Sequence, residues 1–396
     1  MRSRLWVFGL FLASIGLWSG FFGPIQVLLA QQAEALAPEH KESALSLVTG
    51  VGAAVSTVTN PFWGALSDRT TLRLGRRLPW VLGGAAGGAV AMLLLAAAEN
   101  IGQMVAAWAL AQAALNAMLA ALTATVPDQV PVGERGTVGG ALAVAQTLGV
   151  VAGSGVAAAT GSIAAGYLAL AALLLITTVP YALNSRDTPR TEPPTSFAWS
   201  SFWVSPRAHP DFAWAWITRF LMNLGNALLI LYLLYYLQDA VGLPDDEAES
   251  TVFALTAVYG ACTVLTAFAG GLASDRIGRR KVFVIGSGLV TAAALLLFAL
   301  VPTVLAAWVG AVVLGIGFGA YTAVDFALIT QVLPAEDDRA KDLGVINIAA
   351  ALPQVLAPVL AAAVLAVDLG YAGVFGLAAG ISVLGSVLVG QIRSVP

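Results

Sequence analysis

Charge is what this chain lacks most. Of its 396 residues only 10% are Asp, Glu, Lys or Arg, while 59% are hydrophobic. Soluble domains carry about 25% charged residues. A chain this poor in charge cannot cover a globular surface and needs lipid as its solvent. The single cysteine, Cys262, excludes an internal disulfide, and two histidines, His40 and His209, argue against a His-rich metal site. Neither G-x-x-x-x-G-K-S/T nor H-E-x-x-H occurs, and no Ser/His/Asp set falls in one plausible pocket. An enzyme, a cofactor, a resident metal and a nucleic-acid partner therefore have no support. The net charge of −3 is uninformative alone, because placement matters more than the sum.

Long apolar runs are what the chain has instead. A bilayer core needs about 20 apolar residues per helix. Twelve runs fit: 5–31, 44–66, 79–98, 101–126, 137–159, 162–183, 212–238, 250–272, 281–301, 303–332, 342–366 and 370–391. The first follows Met1-Arg2-Ser3-Arg4. It is too long for a secretory h-region and lacks a small-residue cleavage site, so it reads as an uncleaved span. The run at 303–332 carries Gly315, Gly317 and Gly319 as expected bend points.

Lys and Arg set the orientation. With the N-terminus inside, seventeen of the 19 fall in inner loops, Lys41 alone lies outside, and Arg219 falls within a span. Miscounting one span would scatter these charges, so both termini are expected to be cytoplasmic, in a plasma or inner membrane. The segment 185–211 is the one long polar interruption, with Pro189, Pro193, Pro194, Pro206 and Pro210. Its Phe197, Trp199, Phe202 and Trp203 suit the headgroup interface. It separates two sets of six spans, an N-terminal bundle over 1–184 and a C-terminal one over 212–396.

A short basic signature appears twice. Gly64-Ala65-Leu66-Ser67-Asp68-Arg69 precedes Gly75-Arg76-Arg77, and Gly271-Leu272-Ala273-Ser274-Asp275-Arg276 precedes Gly278-Arg279-Arg280-Lys281. The two aspartates are 207 positions apart, and so are Pro127 and Pro334, each at the end of a later span. One shared offset at two loops points to a duplicated bundle.

On these features the chain resembles the major facilitator superfamily over its whole length. The G-x-x-x-D-R…G-R-R loop between spans 2 and 3 and spans 8 and 9 is that superfamily's signature. The first copy inserts Thr71-Leu72-Arg73-Leu74. That Arg-rich loop is similar to those of the glycoside–pentoside–hexuronide and sucrose/proton symporters, as are Ala323-Val324-Asp325-Phe326-Ala327-Leu328 and Pro353-Gln354. The resemblance implies an all-α membrane protein of twelve transmembrane helices in two pseudo-symmetric six-helix bundles. It also implies a gate: Asp68 capping span 11 and Asp275 capping span 5, each helped by Arg69 or Arg276. Arg76, Arg77, Arg279 and Arg280 belong to the same loops. A carboxylate at a helix start meets free N–H groups and the positive dipole end.

The resemblance places substrate near the midplane, lined by spans 1, 4, 7 and 10. Polar residues there are costly in lipid and should face inward. Helical spacing selects Trp18, Phe22 and Gln26 in span 1; Trp108, Gln112 and Asn116 in span 4; Asn223 and Asn226 in span 7; and Tyr321 in span 10. Spans 5 and 11 add Gln146, Asn347 and Gln354. Amides with aromatic rings suit a polyhydroxylated ligand, and they equally suit hydrogen bonds between helices. Arg219 and Asp325 are the only ionisable residues well inside a span. They lie at similar depth, so a buried pair is expected, with Asp325 as protonatable coupling group and Arg219 tuning it.

The sodium/sugar relatives use acids within spans 2 and 4. Here neither span has one before Asp128, so proton coupling or uncoupled passage fits better. The expectation is a monomeric secondary transporter of a small solute, best a sugar or glycoside, using protons in a lipid bilayer by alternating access. A drug or metabolite/proton antiporter is the alternative; span 4 lacks its usual arginine and span 5 its proline. A non-transporting receptor or scaffold is the remote third reading.

Overall fold

The computed structural model describes residues 4–185, 187, 204–334 and 339–395, apart from a few side chains within helices. Among these residues there are twelve long helical rods and no strands. They are α1 (Arg4–Leu36), α2 (Lys41–Asp68), α3 (Leu78–Ala96), α4 (Ile101–Gln129), α5 (Arg135–Ala159) and α6 (Ile163–Asn184). Then come α7 (Pro210–Ala240), α8 (Asp245–Ile277), α9 (Arg280–Leu300), α10 (Val304–Ile329), α11 (Arg339–Leu365) and α12 (Gly370–Leu388). Helices close their own backbone hydrogen bonds, which is what a segment must do in lipid. Ten of the rods are apolar enough to cross a membrane on composition alone. The other two, α2 and α11, are 28 and 27 residues long.

Sequence punctuation sets several ends. Asn100, Ser162 and Thr303 cap α4, α6 and α10 by accepting from the backbone N–H groups of Gln103, Ala165 and Ala306. Gly278 ends α8 in the left-handed conformation, φ 70°. Both α1 and α7 contain a π turn, at Pro24–Leu28 and Tyr236–Ala240. Helix α10 runs unbroken, and its glycines serve packing: a Cβ on Gly315 or Gly319 would strike α8, and one on Gly317 would strike α9.

The chain divides into two compact units. One holds α1–α4, α5 from Ala145 onward, α6, and α11 up to Val345. The other holds α5 up to Val144, α7–α10, α11 from Ile346, and α12. In the first unit α1 packs on α6, α2 on α4, and α3 on both α4 and α6. In the second, α7 packs on α12, α8 on α10, and α9 on both α10 and α12. The same pairings thus recur, six rods later. The first core gathers Met92, Leu95, Trp108 and Tyr167. The second centres on Tyr236, Phe298 and Phe375, whose rings meet edge to face with centroids 5.1–6.0 Å apart. The interfacial aromatics Phe197, Trp199, Phe202 and Trp203 lie outside the described residues.

Candidate functional site

In the first unit α2 ends on Asp68, whose side chain is wholly buried. Its Oδ1 accepts from Ala340 N at 3.2 Å and its Oδ2 from Lys341 N at 3.0 Å, both in the first turn of α11. The helices touch closely because glycine permits it. A Cβ on Gly64 would lie 2.3 Å from Ala340 O, and one on Gly344 would lie 2.4 Å from Pro61 Cα. The guanidinium set against Asp68 is that of Arg77, Nη2 to Oδ1 at 2.7 Å. Arg69, expected to help, turns back to Ala65 O in its own helix at 2.8 Å.

Asp128, at the end of α4, joins this cluster. It meets Arg76 at 2.7 Å, Arg77 Nε at 2.8 Å and Arg339 Nη1 at 3.1 Å. Arg339 also donates to Pro127 O at 3.0 Å. Asp187 adds a third carboxylate. Its Oδ2 accepts from the backbone N–H groups of Arg77 and, at 3.0 Å, Leu78, capping α3. Burial pushes the Arg77 guanidinium down, but Asp68 and Asp128 overcome this and hold it well above its ordinary range. Arg77 therefore stays charged at every physiological pH.

The second unit repeats the cap with different company. Asp275 Oδ1 accepts from Gly136 N at 3.0 Å, and Oδ2 from Thr137 N at 2.6 Å and Thr137 Oγ1 at 2.9 Å. These groups open α5. Arg280 Nη2 lies 3.1 Å from Asp275 Oδ1 and also donates to Val132 O. With its amide oxygen turned inward, Gln331 accepts from Arg280 Nε at 3.0 Å and Nη1 at 2.9 Å. Arg135 Nη1 reaches Thr330 O at the end of α10, 3.1 Å away. Arg276 and Arg279 are exposed, so the buried helper is Arg280 rather than the expected Arg276.

The remaining expected site residues divide between tied and open groups. Trp108 and Asn116 are buried, and Asn116 is saturated. Its Oδ1 accepts from Asn60 at 3.0 Å, and its Nδ2 donates to Ser56 Oγ at 3.0 Å and Gln112 O at 2.8 Å. Gln112, buried, lies alongside, its Oε1 3.3 Å from that amide. Trp18 is half-buried, with its ring 5.8 and 6.0 Å from those of Phe21 and Phe22. Gln26, on the π turn of α1, is exposed and accepts from Ser154 Oγ of α5.

In the second unit Arg219 Nη1 donates to Asp325 Oδ2 at 2.5 Å. Asp325 is almost wholly buried and Arg219 keeps 18% side-chain exposure. Asn223 Nδ2 donates to Arg219 O at 2.8 Å. Asn226 is buried and accepts from Tyr259 Oη at 3.4 Å. Tyr321 is buried one turn before Asp325 and packs on Phe318, centroids 5.7 Å apart. Asn347 and Gln146 are half-buried. The Gln354 side chain lies outside the described residues.

The family model described as "Major Facilitator Superfamily" matches residues 6–258 and 246–394. The chain belongs to the major facilitator superfamily. Solved structures agree in fold. The human organic anion transporter MFSD10 (TETRAN) is 17% identical with a TM-score of 0.78, covering 98% of this chain and 99% of that one. A bacterial homologue of the iron transporter ferroportin, in an outward-facing state, is 15% identical with a TM-score of 0.76, covering 98% and 99%. The superfamily transporter FucP, in the outward conformation, is 13% identical with a TM-score of 0.73, covering 98% and 100%. No curated protein matches the chain. As a member of this superfamily it is a multi-pass membrane protein of a transporter family.

Sequence reasoning passed over Asp128, Asp187, Arg339, Gln331 and Arg135. Asp128 left one signal, as the lone acid at the end of an apolar run and next to one of the prolines of the 207-residue repeat.

Proposed function

We propose that this protein is a proton-coupled secondary transporter of a small polar solute, a sugar or glycoside in class, working by alternating access. The carrying observation is the buried Arg219–Asp325 pair. Burying two charges costs several kcal/mol per ion, offset only by good mutual geometry. Such a pair is easily switched. A proton on Asp325 removes the negative charge and leaves the Arg219 guanidinium seeking an acceptor. A solute hydroxyl is one such acceptor, and the pair re-forms when the proton leaves. Trp18 and Phe22, half-buried on the same helix as the exposed Gln26, supply ring faces for sugar C–H groups. The Asn116 amide already has partners in Asn60, Ser56 and Gln112, so in this reading it ties helices together.

In this reading Asp68 and Asp275 are gate latches, released when α11 and α5 leave their caps. The basic loops that carry them face the cytoplasm, which puts both termini inside. The same pair would serve export of a drug or metabolite in exchange for protons. The direction of the proton gradient that drives movement separates the two.

The test uses purified protein in liposomes with an inward proton gradient and a panel of labelled monosaccharides and glycosides. One class should accumulate, and a protonophore should abolish that accumulation. Solute entry that is insensitive to the protonophore for every panel member contradicts the proposal.

A further inference from the structure

The first unit carries a groove that the transport reading does not use. It has a volume of about 400 Å³, inside the about 300–1,000 Å³ range of small-molecule sites. Its floor is where α3 and α4 meet, at Gly83, Gly84 and Ala114. A Cβ on Gly84 would lie 2.7 Å from Ala114 O, so close backbone approach leaves a trough rather than a ridge. One wall is aromatic, with the rings of Trp63 and Trp80 5.4 Å apart. Trp80 Nε1 is satisfied by Thr70 Oγ1 at 2.7 Å, while Trp63 Nε1 has no acceptor among the described residues. The lining is otherwise almost all carbon, so the occupant's main part is hydrocarbon.

The four-residue insertion reaches the groove through Leu72. Leu72 lines the groove and is 55% exposed, and Leu74 is 60% exposed. Arg73 stands exposed between them and makes no ion pair among the described residues. Its neighbour Arg76, by contrast, is spent on Asp128. An apolar trough beside a loop of two exposed leucines and one unspent guanidinium suits a molecule with a long chain and an anionic head.

The duplication shows that the fold does not impose this groove. Five residues before Asp68 stands Trp63, and five before Asp275 stands Gly270. The second loop, from Asp275 to Arg280, has nothing matching Leu72-Arg73-Leu74.

We propose that this groove holds one acyl chain of an anionic phospholipid, with the lipid phosphate on Arg73 and the insertion closing over the chain. The proposal does not depend on which side of the membrane the loop faces, nor on the transported solute.

Native mass spectrometry of the full chain in detergent tests it, with phosphatidylglycerol and phosphatidylcholine of identical chains titrated in turn. The wild type should retain one phosphatidylglycerol about fivefold more tightly than phosphatidylcholine, the worth of one cation near an anionic head. Gly83→Leu fills the trough, and a Cβ there meets open space, so the variant should fold. It should weaken retention of both lipids about tenfold with an unchanged melting curve in lipid-free detergent. Arg73→Gln should erase the preference and leave phosphatidylcholine retention as it was. Equal retention of the two lipids by the wild type overturns the anionic head. Undiminished retention by Gly83→Leu overturns the groove.

Discussion

The two loops built on the repeated signature perform the same capping act with different materials. At the first, Asp68 caps α11 among buried ions: Asp128 and Asp187 join it, and Arg76, Arg77 and Arg339 answer them. At the second, Asp275 caps α5 with, among the described residues, one close cation, Arg280, which also meets the Val132 carbonyl and the Gln331 amide. The repeat has kept what the cap requires, an aspartate and a glycine one turn before it. A Cβ on Gly64 would lie 2.3 Å from Ala340 O, and one on Gly271 would lie 2.3 Å from Gly136 O. It has not kept the company around the cap. The first loop concentrates charge in a dry place, where loss of any one member strands the rest. The second spreads its bonds over neutral groups, which tolerate loss better.

The largest expected effect follows from that. Arg77→Ala leaves Asp68 and Asp128 short of their shared buried cation and should cost about 3–5 kcal/mol. Arg280→Ala, at the mostly neutral loop, should cost about 1–3 kcal/mol. Chemical denaturation of the purified variants measures both, and equal losses would break the comparison.

Glycine gives the next contrast. Gly75 has φ 99°, and a Cβ there would lie 2.4 Å from the Asp187 side chain. Gly278 has φ 70°, but a Cβ there meets nothing. Gly75→Ala should therefore cost backbone strain of about 1–2 kcal/mol and the α3 cap besides. Gly278→Ala should cost the strain alone. Melting temperatures of the two variants rank them, and a larger loss at Gly278 would count against the packing described.

The smallest effect lies away from the loops. Asn116→Leu removes interhelical hydrogen bonds worth about 0.6 kcal/mol each in membrane proteins. It should lower stability slightly and leave the solute KM unchanged. A large rise in KM would place Asn116 in the binding site.

How much of this was readable beforehand varies with the kind of signal. Twelve rods follow from apolar runs because lipid demands that length, and the caps follow from the family resemblance that the repeated motif carries. The helper arginines do not follow. Arg69 and Arg77 both flank the loop, and the motif does not say that Arg77 is the one buried against Asp68 at 2.7 Å. Helical spacing put Asn116 and Gln26 on comparable faces. It cannot say that Asn60 and Ser56 bond the first, while the second lies exposed on a π turn and accepts from Ser154. The Arg219–Asp325 pairing was legible as equal depth, because two ions within lipid have few other partners.

The most direct test is Asp325→Asn in liposomes, measured two ways for whichever solute the wild type accumulates. Exchange of labelled for unlabelled solute across the bilayer should persist, because the amide keeps the side chain's shape. Accumulation driven by a proton gradient should vanish, because the amide cannot take up and release the proton. Proton-driven accumulation at the wild-type level would contradict the account.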